Sequence, residues 1–294
     1  MPTLLDYLNK PEYAFRPSQA ARRLWRAVAP APESAVVRLP WRLGLRIATR
    51  DDIGRAIWTT GIYDLAVSEA LWRLVEPGDT VVDGGANIGH MTSLMARRAG
   101  PTGVVWAFEP HPGVFEELAA NADGWRREGA VARLELRCAG LSDREGEATL
   151  VEGAEFSTNR GTARLADGGA GGWRVPLARL DATLGATRPG LLKLDVEGHE
   201  AAALRGARRL LAAHAIRDVV YEEHDGVVEG ATDQLRGHGY AVYRILKSFR
   251  GPVLAAPERS AADPWTPPSL LATTDAPRAA ARFRRRGWAC LRGR

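Results

Sequence analysis

The sequence predicts an α/β fold: a doubly wound, mostly parallel sheet with helices on both faces. Three observations carry that prediction. Strand-like apolar runs alternate with helical stretches over most of the 294 residues, the pattern of a parallel sheet covered on both sides. The first core run, Thr80-Val81-Val82, ends in an acid and a set of small residues, Asp83-Gly84-Gly85-Ala86-Asn87-Ile88-Gly89, that open a helix. The second, Val104 to Phe108, ends in Glu109-Pro110, twenty residues beyond Gly89.

Taken in order, residues 1–60 read as an N-terminal extension. Ser18 to Val28 suits a short helix with Leu24, Trp25 and Val28 on one side, and Val37, Leu39, Trp41, Leu43, Leu45 and Ile47 repeat with the period of two of a hairpin. Residues 62–75 read as a helix and Pro77-Gly78-Asp79 as the turn before the first core strand. Met91, Leu94 and Met95 mark the helix after the small-residue loop, and His111-Pro112 opens another that runs through Asn121. Leu134 to Cys138 follows as a third strand, with Ala148 to Val151 and Trp173 to Leu177 as extra strands. Between those two, Ala166 to Gly172 is too rich in glycine to hold one conformation unaided, which predicts a lid insertion over 153–175. Leu191 to Val196 is the fourth parallel strand, Glu200 to Leu211 its helix, Ile216 to Glu222 the fifth strand and Tyr240 to Leu246 a later one. The expected division is an extension over 1–60, a catalytic domain over 61–255, and a Pro-rich then Arg-rich segment over 256–294.

The loop after the first core strand defines the ligand. Gly85 and Gly89 can take backbone angles that other residues avoid, and Asn87 is the side chain that best tolerates a left-handed turn, so the loop can lie close against a cofactor. The series Gly84, Ala86, Gly89 lacks the middle glycine that makes room for a pyrophosphate in dinucleotide sites. Asp83 also places a carboxylate where that anion would lie, and a carboxylate attracts a cationic cofactor instead. S-adenosylmethionine, with an ammonium and a sulfonium, meets the requirement. Glu109 stands at the spacing from which an acid accepts both ribose hydroxyls. An NAD-dependent oxidoreductase shares this opening but favours an apolar residue at Asp83 and glycine at Ala86. A non-catalytic cofactor-binding module is a third reading, opposed by the density of acids and histidine from Asp195 to Glu200.

Asp83 to Gly89, Phe108-Glu109-Pro110, Arg179-Leu180-Asp181 and Leu192-Lys193-Leu194-Asp195-Val196-Glu197-Gly198-His199-Glu200 resemble the successive motifs of the FkbM family of S-adenosylmethionine-dependent methyltransferases. The last block is the most specific, and the resemblance spans roughly Gly61 to Glu223. It implies the Rossmann-like class I methyltransferase fold and O-methylation of a small-molecule hydroxyl on a sugar, glycolipid or polyketide-type metabolite. Cofactor contacts then fall on Asp83, Gly84, Gly85, Ala86, Asn87, Gly89, Glu109, Pro110 and Asp195. By position, Tyr63 and Asp64 form a flap over the methionine end, and Leu141 and Ser142 lie where class I enzymes receive the adenine. Two positions depart from the family pattern: His199 stands where a smaller residue is usual, and Tyr63-Asp64 where an aromatic is followed by Glu.

Methyl transfer from a sulfonium is an in-line displacement, so holding the acceptor oxygen about 3 Å from the methyl carbon supplies roughly 7–11 kcal/mol. A positioned base adds about 10²–10⁴-fold. Lys193 and Asp195 share a strand face by the period of two; Glu197 and His199 follow in the turn, and Glu222, Glu223 and His224 close the next strand. Histidine has the natural pKa for a base, whereas Asp195 is placed there by the resemblance. Asp195 and His199 therefore lead, with Glu197, Glu223 and His224 as partners. Lysine is rare, only Lys10, Lys193 and Lys247 against 37 arginines, so Lys193 reads either as the buried partner of a carboxylate or as a substrate contact. Asn159 and Arg160 begin the lid and are candidates to touch acceptor hydroxyls. The same acids suit a divalent metal that orients two substrate oxygens, but no Asp-x-Asp or His-rich spacing favours it, and no metal ligands are assigned.

Composition bounds the partners. Net charge is +5, yet Arg278, Arg282, Arg284, Arg285, Arg286, Arg292 and Arg294 follow Asp275 with no acid among them, so the rest of the chain carries −2. The basic balance belongs to the last residues and does not make the body a nucleic-acid binder. A solvated tail is the plainest expectation; Phe283, Trp288 and Leu291 among the arginines also suit a weak contact with a membrane surface. Two cysteines, Cys138 and Cys290, make neither a disulfide framework nor a metal cluster. No run of eighteen apolar residues occurs and Met1 to Lys10 lacks a signal-peptide pattern, so a cytoplasmic location is expected. Oligomeric state is left open, a homodimer through the extension included.

Overall fold

A computed structural model describes residues 32–153, 156, 160, 163–166, 172–223, 230–258 and 269–293. The helix expected over Ser18 to Val28, the lid residue Asn159, the run from Asp167 to Gly171, and His224 lie outside these.

The described residues open with a hairpin, β1 (Ser34–Arg38) and β2 (Gly44–Ala48), then α1 (Asp52–Thr60) and α2 (Leu65–Leu74). Next come β3 (Thr80–Gly84), α3 (His90–Ala99), β4 (Val104–Phe108), α4 (Pro112–Glu128) and β5 (Arg133–Arg137). A small sheet follows from β6 (Gly140–Leu141), β7 (Gly146–Val151), β8 (Arg164–Ala166) and β9 (Trp173–Ala178), and then α5 (Leu180–Leu184). The second half contains β10 (Leu191–Leu194), α6 (Glu200–Arg205), α7 (Arg208–Ala212), β11 (Asp218–Glu222) and α8 (Ala231–Gly237). It ends with β12 (Ala241–Ser248), β13 (Gly251–Ala255), β14 (Ser269–Thr273) and α9 (Ala276–Phe283).

Eight strands form the central sheet in the order β13-β12-β14-β11-β10-β3-β4-β5. From β11 to β5 every pairing is parallel, and β14 runs antiparallel to both of its neighbours. This is the class I methyltransferase sheet. Strand order reverses between β3 and β10, the place where open α/β sheets bind ligands beyond their carboxyl ends. The two-residue period of β3 splits the core: Val81 packs with Leu71, Leu94 and Leu118 on one face, and Val82 with Leu204, Leu210 and Phe108 on the other.

The hairpin and the described C-terminal residues are both built into the main body. The hairpin is stitched to α3 and α4: Trp41 Nε1 donates to Ser93 Oγ at 3.0 Å, Trp125 Nε1 to the Gly44 carbonyl at 2.6 Å, and Asn121 accepts from Arg46 N at 2.8 Å. The division expected at 255 is crossed by the sheet itself, because β14 lies between β11 and β12. The side chains expected to meet a membrane, Phe283, Trp288 and Leu291, are buried in the main core. Arg73 reaches from α2 to the carbonyls of Arg282, Phe283, Arg285 and Gly287, and Glu69, fully buried, accepts from Cys290 N at 2.8 Å. Arg278 pairs with Glu76 and with buried Asp218 at 2.9 Å each. The arginines after Asp275 thus include the groups that satisfy the carbonyls and acids of α2 and β11.

Smaller differences have local causes. The helix expected from Glu200 to Leu211 is two helices that meet at Gly206-Ala207, and β10 stops at Leu194, after which Glu197 turns left-handed at φ 53. α4 continues past Asn121 because Ala122 and Trp125, one and two turns beyond Leu118, carry on the same buried stripe. Among the described residues no helix is long and apolar enough to cross a membrane.

Candidate active site

The carboxyl ends of β3, β4, β10 and β11 open on one cleft of about 1310 Å³, its solvent-filled mouth included. Its walls include Tyr63, Asp64, Gly85, Ala86, Asn87, Glu109, Pro110, Leu141, Arg160, Lys193, Asp195 and Glu197, all singled out from the sequence. Ile53, His90, Met91 and Glu222 also line it and were not assigned to the site from the sequence.

The loop from Gly84 to Gly89 is held in a single shape. Gly85 has φ 72, and a Cβ there would lie 1.8 Å from the Asp195 carbonyl, so only glycine lets the loop close onto β10. Gly89 has φ 94 and packs against Trp125 and Leu118 without lining the cleft. Asn87 takes φ 50, as expected of the residue between them. Lys193 secures the arrangement from below: Nζ donates to the Gly85 carbonyl at 2.8 Å and lies 3.2 Å from Asp83 Oδ1 and 3.6 Å from Asp195 Oδ2. Burial works against its charge, but Asp83 and then Asp195 outweigh it and hold the ammonium above its ordinary range.

Asp83 corrects an expectation. It does not face the cleft; it is fully buried, paired with Lys193 and accepting from Thr92 Oγ1 at 2.6 Å. Burial raises its pKa and Lys193 opposes the rise. The carboxylate that meets the cleft from this side is Glu109, whose Oε2 accepts from Asn87 N and Oε1 from His111 N, both at 2.9 Å. Burial pushes Glu109 up to about 7 against the pull of those two bonds. Asp64 caps α2 by accepting from Val67 N at 3.0 Å and is pushed up to about 6 by burial.

Strand alternation sorts the acids of the acceptor side. On β11, Tyr221 and Glu223 share one face and meet α8: Tyr221 Oη lies 2.7 Å from Thr232 Oγ1, and Glu223 accepts from Thr232 N at 3.2 Å. Glu222, one residue away, faces the cleft and is pushed up to about 8 by burial, then by Asp195 and Asp64. Glu223 therefore serves a helix end, and the sequence signal that could have separated the pair was the period of two. Glu197 is pushed up to about 7 by burial and Asp195. His199 turns away from the cleft, its Nε2 3.1 Å from Ser142 Oγ, so Ser142 and His199 support each other behind the wall that Leu141 forms. Gly84 is likewise buried under Leu141 and Leu194. Arg160 is on the wall with its guanidinium paired to Glu117.

His90, missed in the sequence, is buried between Trp41 and the cleft with its ring 5.2 Å from Trp41 in an edge contact. Burial, then Lys193, depress its pKa to about 3, so it is neutral, with Nε2 3.4 Å from Tyr63 N. Six non-glycine residues among those described have left-handed backbone, and three of them, Asp64, Asn87 and Glu197, line this cleft. Strain of that kind persists where the surroundings over-determine it, and it marks the cleft as the working site.

The family model described as the methyltransferase FkbM domain matches residues 83–242, from the buried acid of β3 into β12. This chain belongs to the FkbM methyltransferase family. It is 31% identical to the hexuronic acid methyltransferase AglP of Haloferax volcanii, over 58% of this chain and 67% of that protein. It is 36% identical to the 31-O-demethyl-FK506 methyltransferase FkbM of Streptomyces tacrolimicus, over 57% of this chain and 75% of that protein. A solved FkbM methyltransferase from Methylobacillus flagellatus is 15% identical with a TM-score of 0.44; the alignment covers 74% of this chain and 52% of that one, about half its length. The chain is thus an S-adenosylmethionine-dependent methyltransferase of this family. Among the described residues of this methyltransferase, no three His, Cys, Asp or Glu side chains converge on a metal position.

Proposed function

We propose that this methyltransferase acts on a hydroxyl oxygen of a small molecule, with S-adenosylmethionine held across the β3–β4 side of the cleft and the acceptor on the β10–β11 side. The observation that carries the reading is Glu109. A carboxylate pinned on both oxygens by backbone N–H groups keeps outward lone pairs in fixed directions, which suits a pair of ribose hydroxyls. The other residues fit the same donor: the Gly85 backbone leaves no space for a side chain, and Asp64, Asp195 and Glu222 offer negative charge to an ammonium and a sulfonium. When bound, that donor supplies an electrophilic methyl group.

The remaining chemistry belongs to the chain. Asp195 follows the end of β10 with its side chain 36% exposed, and Lys193 lies 3.6 Å behind it. In this reading Asp195 accepts the hydroxyl proton, and Lys193 is a positioning residue that fixes both the loop and that carboxylate. Glu197 and Glu222 surround the position without a hydrogen-bond geometry that favours either as the base. One relative is named for a hexuronic acid and the other for 31-O-demethyl-FK506, the second name referring to an oxygen-linked methyl, and both names support a hydroxyl acceptor.

The expected results are binding of S-adenosylhomocysteine but not NAD in calorimetry, and methyl transfer to a hydroxyl-bearing acceptor by mass spectrometry. Asp195→Asn should lower turnover by about 10²–10⁴-fold while leaving product affinity within a few-fold. Unchanged turnover removes Asp195 as the base; wild-type protein that ignores S-adenosylhomocysteine removes the whole reading.

A further inference from the structure

The charges on the cleft wall are lopsided. Asp64, Glu109, Asp195, Glu197 and Glu222 all line it, against Lys193 and Arg160 as the lining cations. Both cations are engaged: Lys193 with Asp83 and the Gly85 carbonyl, Arg160 with Glu117. His90 is neutral, Arg164 is exposed on β8 with Glu197 as a nearby opposite charge, and Lys247 is a nearby opposite charge for Asp64 without lining the cleft. The sequence between Leu150 and Trp173 contributes no lysine or arginine beyond Arg160 and Arg164, and that between Glu222 and Gly230 contributes none. Above about pH 8, where Glu109, Glu197 and Glu222 ionise, a donor with one net positive charge offsets only part of the five carboxylates.

We infer that the acceptor side of this cleft selects a hydroxyl on an uncharged or amine-bearing scaffold and rejects a carboxylate-bearing or phosphorylated one. The inference rests on the methyltransferase reading and narrows it: a hexuronic acid, the acceptor named for one of the two relatives, does not fit this wall. The physical ground is desolvation without compensation. An anionic acceptor gives up water and meets like charges instead of a cation, and such a mismatch discriminates more sharply than any added attraction. One like charge about 7 Å away at an effective dielectric near 20 amounts to roughly 50-fold in affinity. Glu222 lines the cleft with Asp195, Asp64, Lys193, Glu197 and Tyr63 as its charged or titratable neighbours, and burial first, then Asp195 and Asp64, raise its pKa.

The test is a matched set of methyl glycosides, a hexose, a 2-amino-hexose and a hexuronate, offered to the full chain. Turnover with S-adenosylmethionine is read by mass spectrometry, and binding to the S-adenosylhomocysteine complex by ligand-observed NMR. Hexose and amino-hexose should exceed the hexuronate by tenfold or more at pH 8.5, with a smaller gap at pH 6, where Glu197 and Glu222 hold protons. Glu222→Gln, checked for folding by its melting curve, should narrow the gap several-fold at pH 8.5 by improving the hexuronate. A hexuronate handled as well as the hexose, or a set showing no difference in turnover and binding, overturns the inference while leaving the donor site intact. Loss of S-adenosylhomocysteine binding in the wild type is a different failure, that of the underlying reading.

Discussion

Asp83 and Glu109 close neighbouring strands, Asp83 opposite Ala107 in the ladder and Glu109 one residue past β4, and by spacing alone both read as cofactor contacts. The fold sets them to opposite tasks. Asp83 is sealed in the interior with Lys193 and Thr92, and through Lys193 it fixes the carbonyls of the loop. Glu109 makes no ion pair among the described residues, and Lys193 acts on it only at longer range; backbone N–H groups orient it toward the cleft. An acid at a strand end can therefore hold the loop that binds a ligand or can bind the ligand. The choice is made by whether a cation arrives from the adjacent strand, here 110 positions later in the chain.

The sharpest way to break that comparison is to remove the cation. Lys193→Met leaves Asp83 buried with the Thr92 hydrogen bond but no cation, and breaking a buried pair in this way costs about 3–5 kcal/mol. Denaturant midpoints should show that loss, and Asp83→Asn combined with Lys193→Met should restore most of it, since replacing both members removes the stranded charge. A single Lys193→Met protein as stable as wild type would mean that the pair is not what holds the loop.

Glu109→Gln should give the converse pattern. The amide keeps one acceptor oxygen and loses one backbone bond, so the stability cost is about 1 kcal/mol. The loss appears instead in the ligand: hydrogen bonds to a charged group contribute roughly 1.5–3 kcal/mol, so S-adenosylhomocysteine affinity by calorimetry should fall about 10–100-fold. Equal affinities in Glu109→Gln and wild type would move the ribose contact elsewhere.

The same contrast explains what was legible in the sequence. Period and spacing located β3, the small-residue loop, β4 and Glu109, because those signals are local: strand runs, glycine angles, a fixed interval. Gly85, Asn87 and Gly89 take the left-handed angles expected of them. What stayed hidden depends on contacts between distant segments. Lys193 against Asp83 is one case; Glu222 against Glu223 is another, since the period of two puts them on opposite faces but the packing of β11 on α8 decides which face turns inward. His199, attractive by its pKa, was lost to Ser142 57 positions away. The C-terminal residues show the largest gap. Local composition reads as a charged tail, yet β14 enters the middle of the sheet and Arg278 neutralises acids on α2's trailing turn and β11.

The mildest expected effect separates the two carboxylates by titration. Glu109 and Glu197 are raised to about 7 and Glu222 to about 8, from ordinary values near 4.5. A carboxyl raised on folding binds more protons in the native than in the unfolded state between those limits, so its effect on stability is unfavourable as pH rises through that window. His90, depressed to about 3, acts the other way, but its effect is complete above its ordinary value of 6.5. Between pH 6.5 and 8.5 the carboxylates of the cleft therefore dominate among these groups, and the ligand-free protein should lose stability, on the order of 2–4 °C in melting temperature. Glu222→Gln should flatten that slope, because the last carboxyl to ionise is gone and Asp195 and Asp64 lose a like charge. Melting curves at pH 6.5, 7.5 and 8.5 decide it. A wild-type profile that is level or rises over this range would show these side chains to be well hydrated and apart, and would leave Glu109 as solvated as any surface acid rather than held, like Asp83, away from water.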